Sequence, residues 1–226
     1  MDLVRETLRS AILRGDLPGD TRLVQTEIAN QLEVSTTPVR EAMRDLASEG
    51  LITLDSHRIG TVRKPDWEEM SAIVDIRRAL ERLALEGAIA NITPKELAKA
   101  RSLADQLAGD VEIGNWVQAN NDFHSVFHRA IGIKRLATFV ESLESAGGVF
   151  VAQAQRLHPE IRARAVADHY SLIEAVESGD LEGAVEIQYE HVSLPLAGNP
   201  ATDGLAQVVT NAELAGNTRQ VFGNEP

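Results

Sequence analysis

The chain has 226 residues, of which 43% are hydrophobic and 25% charged, the composition of an ordinary globular protein with one large or two modest domains. It has no cysteine, which excludes a disulfide framework and a thiolate metal site. Aromatic residues make up only 4%, and Ala and Leu are plentiful, so the composition favours helices over a β-sandwich or barrel. We find no signal peptide and no apolar run of membrane length, and we therefore expect a cytoplasmic protein.

The net charge of −12 is unevenly distributed along the chain. Residues 1–65 carry 9 Lys/Arg and 10 Asp/Glu, whereas residues 66–226 carry 13 and 24. A strongly acidic chain argues against a nucleic-acid partner. The N-terminal part is nearly neutral, however, and local arginine clusters in it can bind DNA. Such binding should weaken steeply with salt, because contacts to phosphates release counterions.

The N-terminal part predicts three helices followed by a β-hairpin. An apolar stripe predicts a first helix over residues 2–14, and a short second helix follows over 25–32. The third helix covers 35–49 and is followed by a glycine, the residue that most often terminates a helix. Two β-prone runs, 51–54 and 60–63, flank a turn-rich tip. This order is that of a winged helix-turn-helix, in which the hairpin forms the wing.

The third helix has the pattern of a DNA-recognition helix. Its apolar residues lie on one side, and Arg40 and Arg44, four residues apart, share the other side. Arginine matches guanine edges and phosphates, and Ser or Thr fits either partner, so this face suits the major groove. The alternative is an ordinary amphipathic helix with solvated arginines. The predicted DNA contacts on this helix and on the wing are Ser35, Thr36, Thr37, Arg40, Arg44, His57, Arg58 and Gly60.

Residues 5–65 resemble the DNA-binding domain of the GntR superfamily. The matching stretches are residues 8–12, 17–23, 34–42, 46–51 and 60–62. The resemblance implies that Thr37 and Arg40 contact DNA. The family usually has an arginine where this chain has Thr36, and often another basic or polar residue where it has Thr26. We therefore expect its base readout to differ from that of its relatives.

From Trp67 onward the pattern is almost entirely helical. The six predicted helices cover residues 67–90, 93–107, 111–131, 134–156, 159–177 and 181–192. Thr93, Pro94 and Glu96 form a capping box at the start of the second of these helices. The predicted fold class is therefore mostly α, with a winged helix-turn-helix in front of an all-α bundle of six to seven helices.

The order of these helices resembles the effector-binding FCD domain of the FadR subfamily. The matching blocks are residues 76–81, 122–124, 168–169 and 178–180. We expect a DNA-binding domain at 1–65, an effector-binding and dimerisation domain at 66–197, and a flexible tail at 198–226. The tail could contain one short helix near residues 202–215.

Four of the six histidines fall on predicted bundle helices. His124 and His128 are four residues apart and share a face with Asn120. Neutral imidazole is a favoured ligand of Zn, Ni, Cu and Fe, and a bundle can bring ligands together from several helices. The resemblance implies a divalent metal site, with zinc or nickel as candidates, made of Asn120, His124, His169 and His191. Relatives more often have Asp in the place of Asn120, and an amide oxygen is a weaker ligand. Alternatively, these histidines are hydrogen-bonded in the core or face the solvent.

Arg77 is an unexpected charge inside an otherwise apolar helix. It either forms an ion pair with Glu69 or Glu81 at the surface, or points inward and binds a carboxylate through two parallel hydrogen bonds. The family resemblance implies a small organic acid as the effector, which Arg77 would then bind.

We expect a ligand-responsive transcriptional repressor that binds a pseudo-palindromic DNA site as a homodimer, because a two-fold protein matches two-fold DNA. One rival is a metal-dependent enzyme that uses the histidine cluster, although no general base or nucleophile motif accompanies these histidines. A second rival is a DNA-binding regulator whose effector domain is vestigial and free of metal. Asn120 in place of Asp keeps that second rival open.

Overall fold

A computed structural model describes residues 2–55, 59–64 and 66–199. The N-terminal part contains three helices and three short strands: α1 (Asp2–Arg14), β1 (Arg22–Leu23), α2 (Gln25–Gln31), α3 (Thr36–Ser48), β2 (Ile52–Leu54) and β3 (Gly60–Val62). The C-terminal part is helical: α4 (Trp67–Asn91), α5 (Pro94–Ala108), α6 (Ile113–Ala130), α7 (Lys134–Leu157), α8 (Glu160–Ser178), α9 (Leu181–His191) and a 3₁₀ helix (Leu194–Gly198).

The described elements confirm the predicted fold class, and the predicted helices agree with the observed bounds to within about two residues. Two elements were not predicted. The short strand β1 joins the hairpin, so that the wing is a three-stranded antiparallel sheet with the order β1-β3-β2. The 3₁₀ helix packs against α7.

The recognition helix α3 is fixed by its apolar side. Val39, Ala42, Met43 and Leu46 are each at most 1% exposed, and they form the core of the N-terminal part together with residues of α1 and the wing. Gly60 lets the wing lie directly on α3, because a Cβ at this position would lie 2.7 Å from Met43 Cε. The wing and the recognition helix therefore form one packed unit.

The ends of α3 show how far local sequence determines the helix. Gly50 has a φ of +73°, the left-handed conformation in which helices commonly end, as the sequence predicts. Ser35 has the extended backbone of an N-cap, but its side chain makes no capping hydrogen bond in the described structure. The start of α3 therefore has the backbone geometry of an N-cap without the side-chain bond.

The C-terminal bundle is arranged around α6, which packs against α4, α5 and α7. Its inward side carries Trp116 and Phe123, each at most 1% exposed. The predicted capping box is present at the start of α5, where Thr93 N donates to Glu96 Oε2 at 2.8 Å and Glu96 N donates to Thr93 Oγ1 at 3.3 Å. Because Gly179 (φ +76°) ends α8, α9 folds back along α8.

Several predicted features lie outside the described residues. These are the wing residues His57 and Arg58 and the tail from residue 200 onward, including the short helix near 202–215. In the part of the chain that is described, no helix is both long and apolar enough to cross a membrane.

Candidate functional site

The outward side of α3 carries the residues predicted to contact DNA. Ser35, Thr36 and Thr37 are exposed at its N-terminal tip, and Arg44 is exposed one turn beyond Arg40. Arg40 is half-buried, and its Nε has no hydrogen-bond partner among the described residues. The tip of the helix and Arg44 thus present exposed polar side chains on one side of the helix, whereas the Nε atom of Arg40 is buried.

Gly60 differs from the other predicted DNA contacts. It is buried, and it pairs with both neighbouring strands, opposite Leu23 in β1 and Leu54 in β2. It therefore lies inside the sheet, at the end of the hairpin next to the tip, and packs against Met43 of α3. His57 and Arg58, at the tip of the wing, lie outside the described residues.

Three of the predicted metal ligands meet in the core of the bundle. His124 on α6, His169 on α8 and His191 on α9 each offer one ring nitrogen, and these nitrogens lie within 4.8 Å of one another. The three side chains are 2%, 1% and 8% exposed, respectively. We call this group the histidine triad.

The geometry of the triad fits a metal ion. The Nε2 atoms of His124 and His191 lie 3.1 Å apart. Two nitrogens bound to one tetrahedral zinc at about 2.0–2.1 Å lie roughly 3.3 Å apart, so this pair would need little rearrangement. The ring of His169 lies against Phe123 at a tilt of 33°, with ring centroids 4.1 Å apart, and neither of its ring nitrogens has a hydrogen-bond partner in the described structure. Buried polar atoms are rarely left unbonded, and a metal would bond one of these two.

The protonation of the triad also suits metal binding. Burial, reinforced by His191, lowers the pKa of His124 and of His169 well below the usual value of a histidine. Both rings are therefore neutral near neutral pH, which is the form that binds a metal.

Asp168 lies beside one of the predicted ligands. Its Oδ2 lies 3.4 Å from His191 Nδ1, without an aligned hydrogen bond between these two atoms in the described structure, and its Oδ1 accepts a 2.8 Å hydrogen bond from Arg164 Nε. Burial opposes the charge of Asp168, but the interactions with His191 and Arg164 outweigh it and lower the pKa of the carboxyl group. A carboxylate on the outer nitrogen of a ligating histidine directs the inner nitrogen toward the metal, and Asp168 is placed for that role toward His191.

The fourth predicted ligand, Asn120, lies one turn before His124 and is 6% exposed. It lines two small cavities, each of about 30 Å³, and His191 lines both of them as well. Asn120 therefore borders the triad, as the helical spacing predicts.

Arg77 pairs with a carboxylate of its own helix and also faces a cavity. Its Nε donates to Glu81 Oε1 at 3.2 Å, so the ion pair with Glu81 exists, but it is buried and not at the surface as expected. Arg77 also lines one of the two small cavities together with His124 and His191. We call this cavity the Arg77 cavity. The Nη2 atom of Arg77 lies 3.1 Å from Glu81 but has no aligned hydrogen bond in the described structure.

Sequence reasoning missed two polar residues of α7, Glu144 and Gln155. Glu144 Oε1 lies 3.7 Å from His124 Nε2, its Oε2 lies 3.4 Å from His128 Nδ1, and burial raises the pKa of Glu144 to about 8. The available signal was helical spacing: positions 144, 148, 151 and 155 share one face of α7, and that face is largely buried. A Glu and a Gln on such a face are candidates for a site.

Family comparisons identify both parts of the chain. The model of the gntR family of bacterial regulatory proteins matches residues 2–62, and the FCD domain model matches residues 72–194. The chain belongs to the GntR family. More narrowly, it belongs to the FCD-containing branch of that family, the FadR subfamily.

Individual relatives agree with this assignment. The chain is 31% identical to a probable D-xylose utilization operon transcriptional repressor of Paenarthrobacter nicotinovorans, over 89% of each protein. It is 26% identical to the HTH-type transcriptional regulator McbR of Escherichia coli, over 84% of this chain and 90% of that one. The solved structure of E. coli McbR/YncC superposes with a TM-score of 0.67 at 27% identity, over 86% of this chain and 94% of that chain.

These relatives decide between a transcriptional regulator and an enzyme. They are transcriptional regulators, and they share both the helix-turn-helix and the effector domain with this chain. The GntR-family protein described here is therefore a DNA-binding transcriptional regulator and not an enzyme.

Proposed function

We propose that this regulator is a homodimeric repressor whose FCD domain binds a divalent metal and, next to that metal, a small organic acid. The observation that carries the proposal is the histidine triad, in which His169 is buried with both ring nitrogens unbonded among the described residues. Zinc and nickel both suit a set of neutral imidazole ligands.

In this proposal Asn120, His124, His169 and His191 hold the metal. The amide of Asn120 is neutral, so the metal keeps more of its positive charge than it would beside an aspartate. When bound, the metal supplies a Lewis acid that can coordinate a carboxylate oxygen. Arg77, which lines the same cavity, would bind the other oxygen of that carboxylate through its guanidinium group.

The cavities limit the size of the acid. Each of the two that border Asn120 and His191 measures about 30 Å³. A space of this size holds only a few atoms beyond those of a single water molecule. The effector is therefore a short acid, or its binding moves the surrounding side chains.

The N-terminal part, residues 1–65, would bind DNA through Ser35, Thr36, Thr37, Arg40 and Arg44 of α3. His57, Arg58 and the Gly60 region of the wing would add contacts beside the recognition helix. Residues 66–197 would form the effector-binding and dimerisation domain, and 198–226 a flexible tail. Since its target is chromosomal DNA, the regulator would act in the cytoplasm.

An exposed apolar stripe on α4 supports dimerisation. Ile76 and Leu83 are 41% and 47% exposed, and the half-buried Leu80 lies between them at helical spacing. The rest of α4 packs against α6, α7 and α9, so this stripe faces away from the bundle. Exposed apolar stripes of this kind mark interaction surfaces, and a second copy would cover the stripe with its own.

Elemental mass spectrometry of protein purified without chelator tests the metal. We expect one zinc or nickel ion per chain, and its loss in His169→Ala. Thermal-shift measurements with short carboxylic acids on the same samples test the effector, and we expect a shift that depends on the metal. Protein that contains no metal and is stabilised by no acid would instead support a regulator with a vestigial effector domain.

A further inference from the structure

The second small cavity beside the triad contains one polar group that the proposed metal site does not use. This cavity lies between α6, α7, α8 and the 3₁₀ helix, and its walls include Trp116, Val151, Ile161 and Ala165. Gln155 of α7 also lines it, and we therefore call it the Gln155 cavity. Apart from Gln155, its polar lining consists of Asn120 and His191, which belong to the proposed metal site.

Gln155 is buried without a complete set of partners. Its side chain is 8% exposed, and its Nε2 has no hydrogen-bond partner in the described structure. A buried amide donor that stays unbonded destabilises the fold, so such groups are usually satisfied by a water molecule or a ligand. The donor is thus available to a molecule that enters the Gln155 cavity.

The Gln155 cavity and the Arg77 cavity meet at the proposed metal site. Asn120 and His191 line both, and Val151 of α7 forms a wall of each. A molecule whose carboxylate is held on the Arg77 side would reach Gln155 once the side chains that separate the two cavities move aside. Its far end would then lie among mostly apolar side chains.

We infer that Gln155 recognises the far end of the effector by donating a hydrogen bond to a neutral oxygen, a hydroxyl or a carbonyl. None of the described residues that line the Gln155 cavity is a lysine or an arginine, so a second carboxylate would be left without a countercharge there. The ligand class is therefore a short monocarboxylic acid with one remote neutral oxygen. This inference rests on the proposed function, because the carboxylate end is held by the metal and Arg77.

Three four-carbon acids of matched length test this assignment. Butanoate has no remote oxygen, 4-hydroxybutanoate has a neutral one, and succinate has a charged one. Isothermal titration of the full-length, zinc-loaded protein measures each affinity. We expect 4-hydroxybutanoate to bind about fivefold more tightly than butanoate, which is what one buried hydrogen bond contributes. Succinate should bind more weakly than 4-hydroxybutanoate.

Gln155→Met is the test variant, because methionine has a similar length, is unbranched and tolerates a helix. In this variant the preference for 4-hydroxybutanoate over butanoate should fall to about onefold, while the zinc content stays that of the wild type. Gln188→Met is the matched control. Gln188 is also a buried glutamine with an unbonded side-chain atom, but its cavity of about 10 Å³ is too small for a ligand. This control should keep the preference.

The outcomes separate this inference from the proposed function. Equal binding of butanoate and 4-hydroxybutanoate by the wild type, or a preference that persists in Gln155→Met, would overturn the role of Gln155 and leave the acid sensor standing. Zinc-loaded wild type that binds none of the three acids would overturn both. If Gln155→Met does not fold, the comparison of butanoate with 4-hydroxybutanoate in the wild type still tests the inference, because equal binding of the two acids would overturn it.

Discussion

Arg9 donates a 3.0 Å hydrogen bond from Nη1 to the carbonyl oxygen of Gly114, and this bond joins the DNA-binding part to the effector domain. The same guanidinium binds Glu49, with Nε 3.0 Å from Oε2. Glu49 is the C-cap of the recognition helix α3, and Gly114 lies in the first turn of α6. One side chain, only 4% exposed, therefore connects the recognition helix to the helix that carries Asn120 and His124.

The surroundings of Arg9 strengthen this connection. Helices α1 and α6 pack closely here, because a Cβ at Gly114 of α6 would lie 2.7 Å from Ser10 Oγ of α1. Arg9 also borders a cleft of about 310 Å³ between the two parts of the chain. Glu144 lines both this cleft and the Arg77 cavity, so the proposed effector site and the contact between the domains share a wall.

The first prediction concerns this contact. Arg9→Met should lower the free energy of unfolding by about 2 kcal/mol, because it leaves the Gly114 carbonyl without its buried, charged donor and removes one of the two arginines that pair with Glu49. It should also reduce the change in DNA affinity that a bound acid produces. Urea denaturation and DNA titrations with and without 4-hydroxybutanoate measure the two effects.

Arg5→Met is the matched control for Arg9→Met. Arg5 Nε also pairs with Glu49, at 2.9 Å, but Arg5 is more exposed and bonds to the DNA-binding part alone. Arg5→Met should lower the free energy of unfolding by at most about 1 kcal/mol, as is usual for a partly exposed ion pair. It should leave unchanged the effect of the acid on DNA affinity. Equal effects of the two variants would show that the bond to Gly114 contributes nothing beyond the pairing with Glu49.

A second prediction concerns the recognition helix. Arg40→Ala should weaken binding to a DNA site selected from a random library by about 1–3 kcal/mol, as expected for the loss of a contact to a base edge. Its stability should change little, since Val39 and Met43 rather than Arg40 hold α3 in the core. Arg129→Ala, which removes an exposed arginine from α6, controls for the loss of one positive charge. Unchanged DNA affinity of Arg40→Ala would contradict the assignment of α3.

These contacts show how much the sequence could and could not predict. The helices and the capping box of Thr93 and Glu96 depend on residues close together in the chain, and spacing alone predicts them. The positions of the triad histidines were implied by the family resemblance. Arg9 and Gly114, by contrast, are 105 residues apart, and no local pattern pairs them. The strand β1 has two residues, which is too short to show alternation.

The polar residues of α7 escaped prediction for a related reason. Glu144 and Gln155 are charged or polar residues of ordinary helix-forming type, and either would suit an exposed helical surface. Their position beside the triad becomes visible only once α7 is packed against α6, α4 and the 3₁₀ helix and its 144–155 face is buried. Burial, rather than residue type, makes them candidates for a site.

A third prediction concerns pH. Burial, together with the nearby positive charge of Arg77, lowers the pKa of His128 to about 3. Glu144 is the carboxyl group that faces it, with Oε2 3.4 Å from His128 Nδ1. A histidine whose folded pKa is lowered stabilises the protein above its unfolded pKa of about 6.5, and that stability is lost as the pH falls toward the folded value.

The unfolding free energy of the wild type relative to His128→Gln should therefore fall by about 2 kcal/mol between pH 7.5 and pH 5. Urea denaturation of both proteins at the two pH values measures this difference. Between pH 7.5 and pH 8.5 His128 is neutral in both the folded and the unfolded state, so any change of the difference in that window reports the neighbouring Glu144, whose raised pKa of about 8 falls there. A difference that is the same at pH 5 and pH 7.5 would show that His128 takes up a proton in the folded protein.

The last prediction concerns the proposed dimer. Leu83→Glu places a charge in the exposed apolar stripe of α4, and burying that charge in an interface would cost far more than leaving it in water. We expect this variant to sediment as a monomer at micromolar concentration while keeping its helical circular dichroism, and to lose high-affinity binding to a pseudo-palindromic site. Leu3→Glu, at a position of α1 that is 79% exposed, is the control and should remain a dimer. If Leu83→Glu remains a dimer, the interface lies elsewhere. A glutamate inside the interface would have prevented dimerisation.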